Sequence, residues 1–285
     1  TILSTGAVNR TAGDYHMGTA GTYKGAGAQV AGRVVTADYM VGAGGSIFVN
    51  EDVSLASGNH LTLAARDNIL VNASIQNSQA AGGGDVNLIA GWDEVTGLGT
   101  LPFIWANTPP AGRSFDAALV EADPSSYGIG DGITQGLVRI GDGTQARELA
   151  VGSRSGATRV LGHTLALNAG AGNGDYARIG FQTSAGNTSA PGRIHVAMKG
   201  GIALAAGPVA GSHAQIGHGA TYLAGGVLGG DISVVSEGLV PLSDITLSGG
   251  AGLDSFAQIG HGGVQNTADK GGSILVRTGG GDVLL

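Results

Sequence analysis

Two adjacent acid pairs, Glu51-Asp52 and Asp93-Glu94, are the first residues in this sequence that could do chemistry. Polysaccharide-cleaving enzymes need two or three carboxylates converging on one face. Neither pair has a recurring acidic or basic partner along the chain, so both are expected to be surface groups and no enzymatic activity is expected. His218 and His261 hold the same place in two copies of Ile-Gly-His-Gly, while the other five histidines are scattered. A metal usually takes three or four ligands, so a hydrogen bond in a turn or ladder is the expected use of these two rings. Gly82-Gly83-Gly84-Asp85, Gly172-Asn173-Gly174-Asp175 and Gly280-Gly281-Asp282 share their composition with calcium-binding nonapeptides. The tandem nine-residue period is missing, and turn formation accounts for each Gly-Asp. There is no Gly-x-Ser-x-Gly elbow for a serine nucleophile, no phosphate loop ending in Gly-Lys-Ser/Thr, and no Thr-x-Thr ladder suited to ice. The sequons at Asn9, Asn72 and Asn187 are the only modification signals. Neither a cofactor nor a metal is expected.

One stretch stands apart as a place for binding. Residues Trp92–Gln135 hold five of the 13 aromatics and four of the seven prolines, and six acids there face a single base, Arg113. Ser114–Asp123 reads as a short helix capped by Ser114. Three uses are open: the segment covers a face or edge of the fold, it contacts another subunit, or its aromatics stack on sugar rings while its acids bind hydroxyls. The contact candidates are Trp92, Asp93, Glu94, Trp105, Arg113, Phe115 and Tyr127. Long insertions on a rigid scaffold are where binding tends to sit.

The elements that must carry these residues follow from glycine and from a repeat. Glycine is 55 of 285 residues, about 19%, against a usual share near 7%. A helical domain would lose about 1 kcal/mol at each interior glycine, and the strict three-residue period of collagen is absent. The signature VRIGDG, ARIGFQ, AQIGHG, AQIGHG recurs from Val138, Ala177, Ala214 and Ala257, at spacings of 39, 37 and 43 residues. Between copies the apolar residues alternate, as at Ile194, Val196 and Met198, at Ile202 and Leu204, and at Ile232 and Val234. A period of two is the strand signature. The first half follows the same pattern at Ile47 and Val49, at Leu61, Leu63 and Ala65, along Ile69, Val71, Ala73 and Ile75, and at Val86, Leu88 and Ala90, with asparagines at or near strand ends. Many short strands between glycines predict an all-β fold, a parallel β-solenoid of three strands per coil with like-on-like columns inside and asparagine ladders at the corners. Reading each repeat of about 40 residues as two coils of roughly 20 predicts about 14 coils. The expected organisation is one continuous solenoid: coils over 1–91, an irregular insertion over 92–135, and coils with the IG repeat over 136–285.

Net charge is −7 without long runs, which excludes the basic stripe that nucleic acid requires. The lack of cysteine excludes disulfides and thiolate sites, and suits both the cytosol and export through an oxidising periplasm. No run of 18 apolar residues predicts a membrane span. The chain opens on Thr1-Ile2-Leu3 and is expected to be a piece of something longer. It closes on the apolar Val283-Leu284-Leu285. Either the chain continues there, or that end stacks on a neighbouring subunit in a filament.

The run GSIFVNEDVSLASGNHLTLAARDNILVNASIQN from Gly45, with GGDVNLIAG from Gly83, resembles filamentous-haemagglutinin-like passengers of two-partner secretion systems. The AQIGHGG and GxIxV units resemble the repeats of the same class of very large bacterial surface adhesins. The likeness covers Gly45–Trp92 and Gly136–Leu285. It implies a right-handed parallel β-helix, export through an outer-membrane transporter to the cell surface or beyond, and a role in adhesion, biofilm or contact-dependent toxicity. No secretion domain or toxin is recognisable in these residues, so the expectation is a structural or adhesive fibre segment. Its partners would be neighbouring fibre segments, or a glycan or receptor on a host or neighbouring cell.

Overall fold

The computed structural model describes residues 2–3, 8–11, 14–17, 33–35, 38–43, 45–91, 136–144, 147–185, 188–219, 224–238 and 243–285. The chain is all-β and winds as a parallel β-solenoid with three strands per coil. Sheet A stacks Ile2–Leu3, Arg33–Val35, Val53–Leu55, Ile75–Asn77, Glu148–Ser153, Tyr176–Ile179, His213–Ile216 and Ala257–Ile259. Sheet B stacks Val8–Thr11, Tyr39–Ala43, Leu61–Ala65, Val86–Ala90, Thr158–Gly162, Ile194–Met198, Ile232–Ser236 and Ile274–Thr278. Sheet C stacks Tyr15–Met17, Ile47–Val49, Ile69–Val71, Leu137–Ile140, Thr164–Asn168, Ile202–Ala205, Ile245–Ser248 and Val283–Leu284. Each sheet follows chain order, so the described strands form eight coils, about 34 Å of stacked strands at the usual strand spacing.

Eight coils replace the fourteen expected from the spacing. Ile47 pairs with Ile69, 22 residues on, so a bare coil is close to the predicted length. Ala177 pairs with Ala214 and Ala214 with Ala257, so the repeats of 37 and 43 residues are one coil each and not two, while the first copy, at Val138, lies in sheet C and not in sheet A with the other three. Much of the added length lies between sheets A and B, where Val227–Leu228 pairs with Asp269–Lys270 and Ala190 bridges to Leu228. This side ridge has its own small core of Phe181, Ala190, Leu228 and Ala268.

The solenoid core is one cluster fed by all three sheets. One column runs through seven coils as Val41, Leu63, Leu88, Val160, Val196, Val234 and Val276. Side chains of similar volume stack at every level, as close packing of an interior requires. Leu88 sits in the middle of this column, fully buried. Leu88→Ala is expected to cost about 2–5 kcal/mol, read as a fall in the thermal midpoint.

The strands on either side of residues 92–135 pair across that segment: Ile69–Val71 with Leu137–Ile140, and Val86–Ala90 with Thr158–Gly162. The run from Ile69 to Ile75 divides into two strands of different sheets, with Asn72 at the corner donating to Asn50 Oδ1 at 2.9 Å. This is an asparagine ladder, and it buries the Asn72 sequon. Asn87, by contrast, lies inside a strand, where it donates to Thr62 Oγ1 of the previous coil. Sheet B departs from simple alternation. Its outward residues Ala64, Ile89 and Leu161 are as buried as its inward ones, the pattern of a parallel sheet apolar on both faces.

Carboxylates that precede strands hold successive coils together. Asp52 accepts the Ser74 amide at 2.9 Å, Asp231 the Ser273 amide at 2.8 Å, and Asp244 the Asp282 amide at 2.9 Å. Each acid takes up a backbone donor of the next coil at a corner, where the sheet ladder leaves it unpaired.

Candidate functional site

The densest polar chemistry among the described residues is a buried layer on the outer side of sheet A in the last three coils. Period two places Ala150, Arg178, Gln215 and Gln258 in one outward column, and Glu148, Tyr176 and His213 in the next. In a bare coil these positions would face water. Here the chain turns at Gly180, Gly217 and Gly260 and runs on as stacked segments, with Gly219 donating to the Phe181 carbonyl and Gly262 to the His218 carbonyl. These segments cover the column, and Arg178 is fully buried.

Arg178 spends its donors on three neutral acceptors. Nε donates to Gln215 Oε1 at 2.8 Å, Nη1 to the Gly219 carbonyl at 2.5 Å, and Nη2 to His213 Nε2 at 3.0 Å. Its guanidinium carbon lies 4.7 Å from the Tyr176 ring centroid, a cation–π distance. Burial lowers the Arg178 pKa to about 10, with Tyr176 and Glu148 partly offsetting the effect, so the charge persists at neutral pH. Burial also raises the Tyr176 hydroxyl well above its ordinary range. Gln215 relays the network onward, donating to the Gly260 carbonyl at 2.7 Å.

The hydrogen bonds fix the three histidine tautomers. A carbonyl only accepts, so a ring nitrogen facing one carries the proton. His218 Nε2 therefore donates to the Gly192 carbonyl at 2.6 Å, and its Nδ1 accepts the Phe181 amide at 2.8 Å. His261 repeats this one coil on, donating from Nε2 to the Gly230 carbonyl at 2.9 Å and accepting the His218 amide on Nδ1 at 3.0 Å. The two rings stack 5.1 Å apart and 6° from parallel. Each ring thus ties the outgoing arm of the side ridge to its returning arm. His213 takes the opposite tautomer: Nδ1 donates to the Gly211 carbonyl at 2.9 Å and Nε2 accepts from Arg178. It is sandwiched between Tyr176 and Phe256. Burial, first of all, lowers His213 to about 4 and His218 to about 3, and it lowers His261 as well.

Every ring nitrogen of these three histidines is already engaged. A metal or a proton-transfer partner could use one only by breaking a bond that joins coils. The chemistry the layer supports is cohesive. Among the described residues, no group of three or more His, Asp or Glu is placed to hold a metal ion.

The repeat-based expectation for His218 and His261 corresponds to this stacked ladder. His213, read as scattered, belongs to the same layer, and Arg178, Tyr176 and Gln215 carried no signal as site residues. Asp85, of the Gly-Gly-Gly-Asp turn, accepts the Ala157 amide at 2.8 Å and pairs with Arg159 at 2.6 Å. Asp85→Ala would orphan that amide and take the carboxylate from Arg159, which keeps its bond to Asn87 Oδ1 at 3.2 Å, with an expected cost of about 1–3 kcal/mol, measurable by chemical denaturation. Asp175 Oδ2 closes its own turn by accepting the Gly172 amide. Trp92, Asp93, Glu94, Trp105, Arg113, Phe115 and Tyr127, together with the helix expected over Ser114–Asp123, lie outside the described residues.

No family model, curated protein or solved structure matches this chain.

Proposed function

We propose that this chain is a length of stiff shaft in a bacterial cell-surface or extracellular fibre, with a mechanical role. The observation that carries the reading is the continuity of three eight-stranded parallel sheets, whose strands pair even across residues 92–135. A load along the stack is shared by backbone hydrogen bonds at every level, and the core columns resist shear between coils. Asparagine, aspartate and histidine side chains add bonds between coils at the corners. On this reading the partners are neighbouring segments of the same fibre, and the chain reaches the surface through an outer-membrane transporter. The test is immunogold labelling of intact cells of the encoding organism with antibody raised against this chain. Label on the surface or on extracellular filaments is expected. Label confined to the cytoplasm of sectioned cells would overturn the reading.

A further inference from the structure

We propose that His213, His218 and His261 form an acid-sensitive latch that holds the last three coils and their side ridge closed, while the coils before them lack it. The geometry carries this. Each histidine uses one nitrogen as a donor to a carbonyl and the other as an acceptor from a donor that cannot turn away: the Phe181 amide, the His218 amide, or the Arg178 guanidinium. Protonation places a second N–H against that donor and converts an attractive contact into a repulsive one. For His218 and His261 the broken bond is the one joining adjacent coils at the base of the ridge. For His213 it is the one that helps neutralise the demand of the buried Arg178.

The surroundings offer a new positive charge no compensation. His218 faces Phe181, Gly192, His261 and, further off, the Arg178 cation. His261 faces His218 and the Gly230 carbonyl. His213 lies between two aromatic rings beside Arg178. Among the carboxylates near this layer, Glu148 and Asp52 act on Tyr176 and Glu148 also on Arg178, Asp175 spends its carboxylate on the Gly172 amide, and Asp231, beside Gly230, spends its own on Ser273. His60, His163 and His195, in the third, fifth and sixth coils, are only half-buried.

The direction of the pH effect follows. The folded pKa values of His213 and His218, about 4 and about 3, lie below the ordinary 6.5. Their contribution is therefore complete above about pH 6.5, declines as the opened state takes up protons below that pH, and is lost as pH falls through the folded values. Each proton taken up on opening makes opening about tenfold easier per pH unit.

Amide hydrogen exchange on the intact chain, corrected for the intrinsic pH dependence of exchange, tests this between pH 7 and 4.5. Protection of 194–216 and 257–262 is expected to fall by about 100- to 1,000-fold per pH unit below pH 6, as two to three protons enter, and protection of 53–90 to change far less. The same pH dependence in both regions, or none in either, would overturn the latch. His213→Phe keeps a ring in the Tyr176–Phe256 stack and is expected to remove about one tenfold factor per pH unit; an unchanged slope would exclude His213. Nitrogen NMR of the wild-type rings is independent of any variant. Nε2–H tautomers for His218 and His261 and Nδ1–H for His213 are expected at neutral pH, those of His213 and His218 persisting below pH 5. Titration of these rings near pH 6.5 would overturn the proposal.

Discussion

Arg178→Ala is expected to destabilise the last three coils by at least about 3 kcal/mol, seen as a lower thermal midpoint and as loss of exchange protection from Tyr176 onward. Two effects oppose each other. Removing the guanidinium relieves its burial cost, which the depressed pKa of about 10 puts at about 3 kcal/mol. Against that, Gln215 Oε1, the Gly219 carbonyl and His213 Nε2 lose their donor in a closed layer, at about 1–3 kcal/mol each. A side chain among the largest fully buried ones also vanishes, adding a cavity cost of about 3 kcal/mol or more. The losses win. Arg178→Met separates the terms, because it fills most of the volume but supplies no donor. It should fall between the wild type and Arg178→Ala. The backbone itself is not the obstacle, since Ala150 occupies the same column one coil earlier.

Gly180→Ala should be nearly as damaging for a different reason. Gly180 has φ +138°, a region that side chains avoid, and an added Cβ would run into the Gly217 carbonyl oxygen of the next coil. That carbonyl is backbone and cannot swing aside. The coils would have to part at the bonds from the Gly217 amide to Ile179 and from the Gly219 amide to Phe181, at 2.8 and 3.2 Å. Strain of about 1–3 kcal/mol plus weakened stacking gives an expected loss of about 3 kcal/mol or more. Gly174→Ala is the control. Gly174 also has positive φ, +77°, but an added Cβ there meets open space, so the cost should stay near 1 kcal/mol. Equal losses at the two positions would mean that backbone conformation alone, and not coil stacking, governs these glycines.

The fold was legible because its strongest signal is local. Alternation at Ile194, Val196 and Met198 and at Leu61, Leu63 and Ala65 marks inward positions, and all six are buried. Coil length was not legible from spacing, because a period near 40 residues arises equally from two short coils or from one coil with a side ridge. The discriminating signal was the strand count within a period. YARI, IHVAM and IALA are three strands, one for each sheet, and so a single coil. The buried layer was hidden for a related reason. Arg178 and Gln215 fall on outward positions of a period-two strand, where charge and amide are ordinary on a solvated face. Only the segments after Gly217 and Gly260, arriving from the next coils, turn that face into an interior. The two Ile-Gly-His-Gly copies were the one visible trace, since identical residues at a fixed place in a solenoid stack on themselves.

Cysteine cross-linking tests the coil assignment most directly, because the chain has no cysteine of its own. Ala166, Ala203 and Thr246 follow one another down the outer face of sheet C in adjacent coils. Neighbouring strands lie about 4.8 Å apart, within disulfide reach. Alternate coils are about 9.6 Å apart, beyond it. The pairs Ala166→Cys with Ala203→Cys and Ala203→Cys with Thr246→Cys should each oxidise to a disulfide, and Ala166→Cys with Thr246→Cys should not. Failure of both adjacent pairs, with the folded protein intact, would contradict one coil per repeat and the continuous stack on which the shaft reading depends.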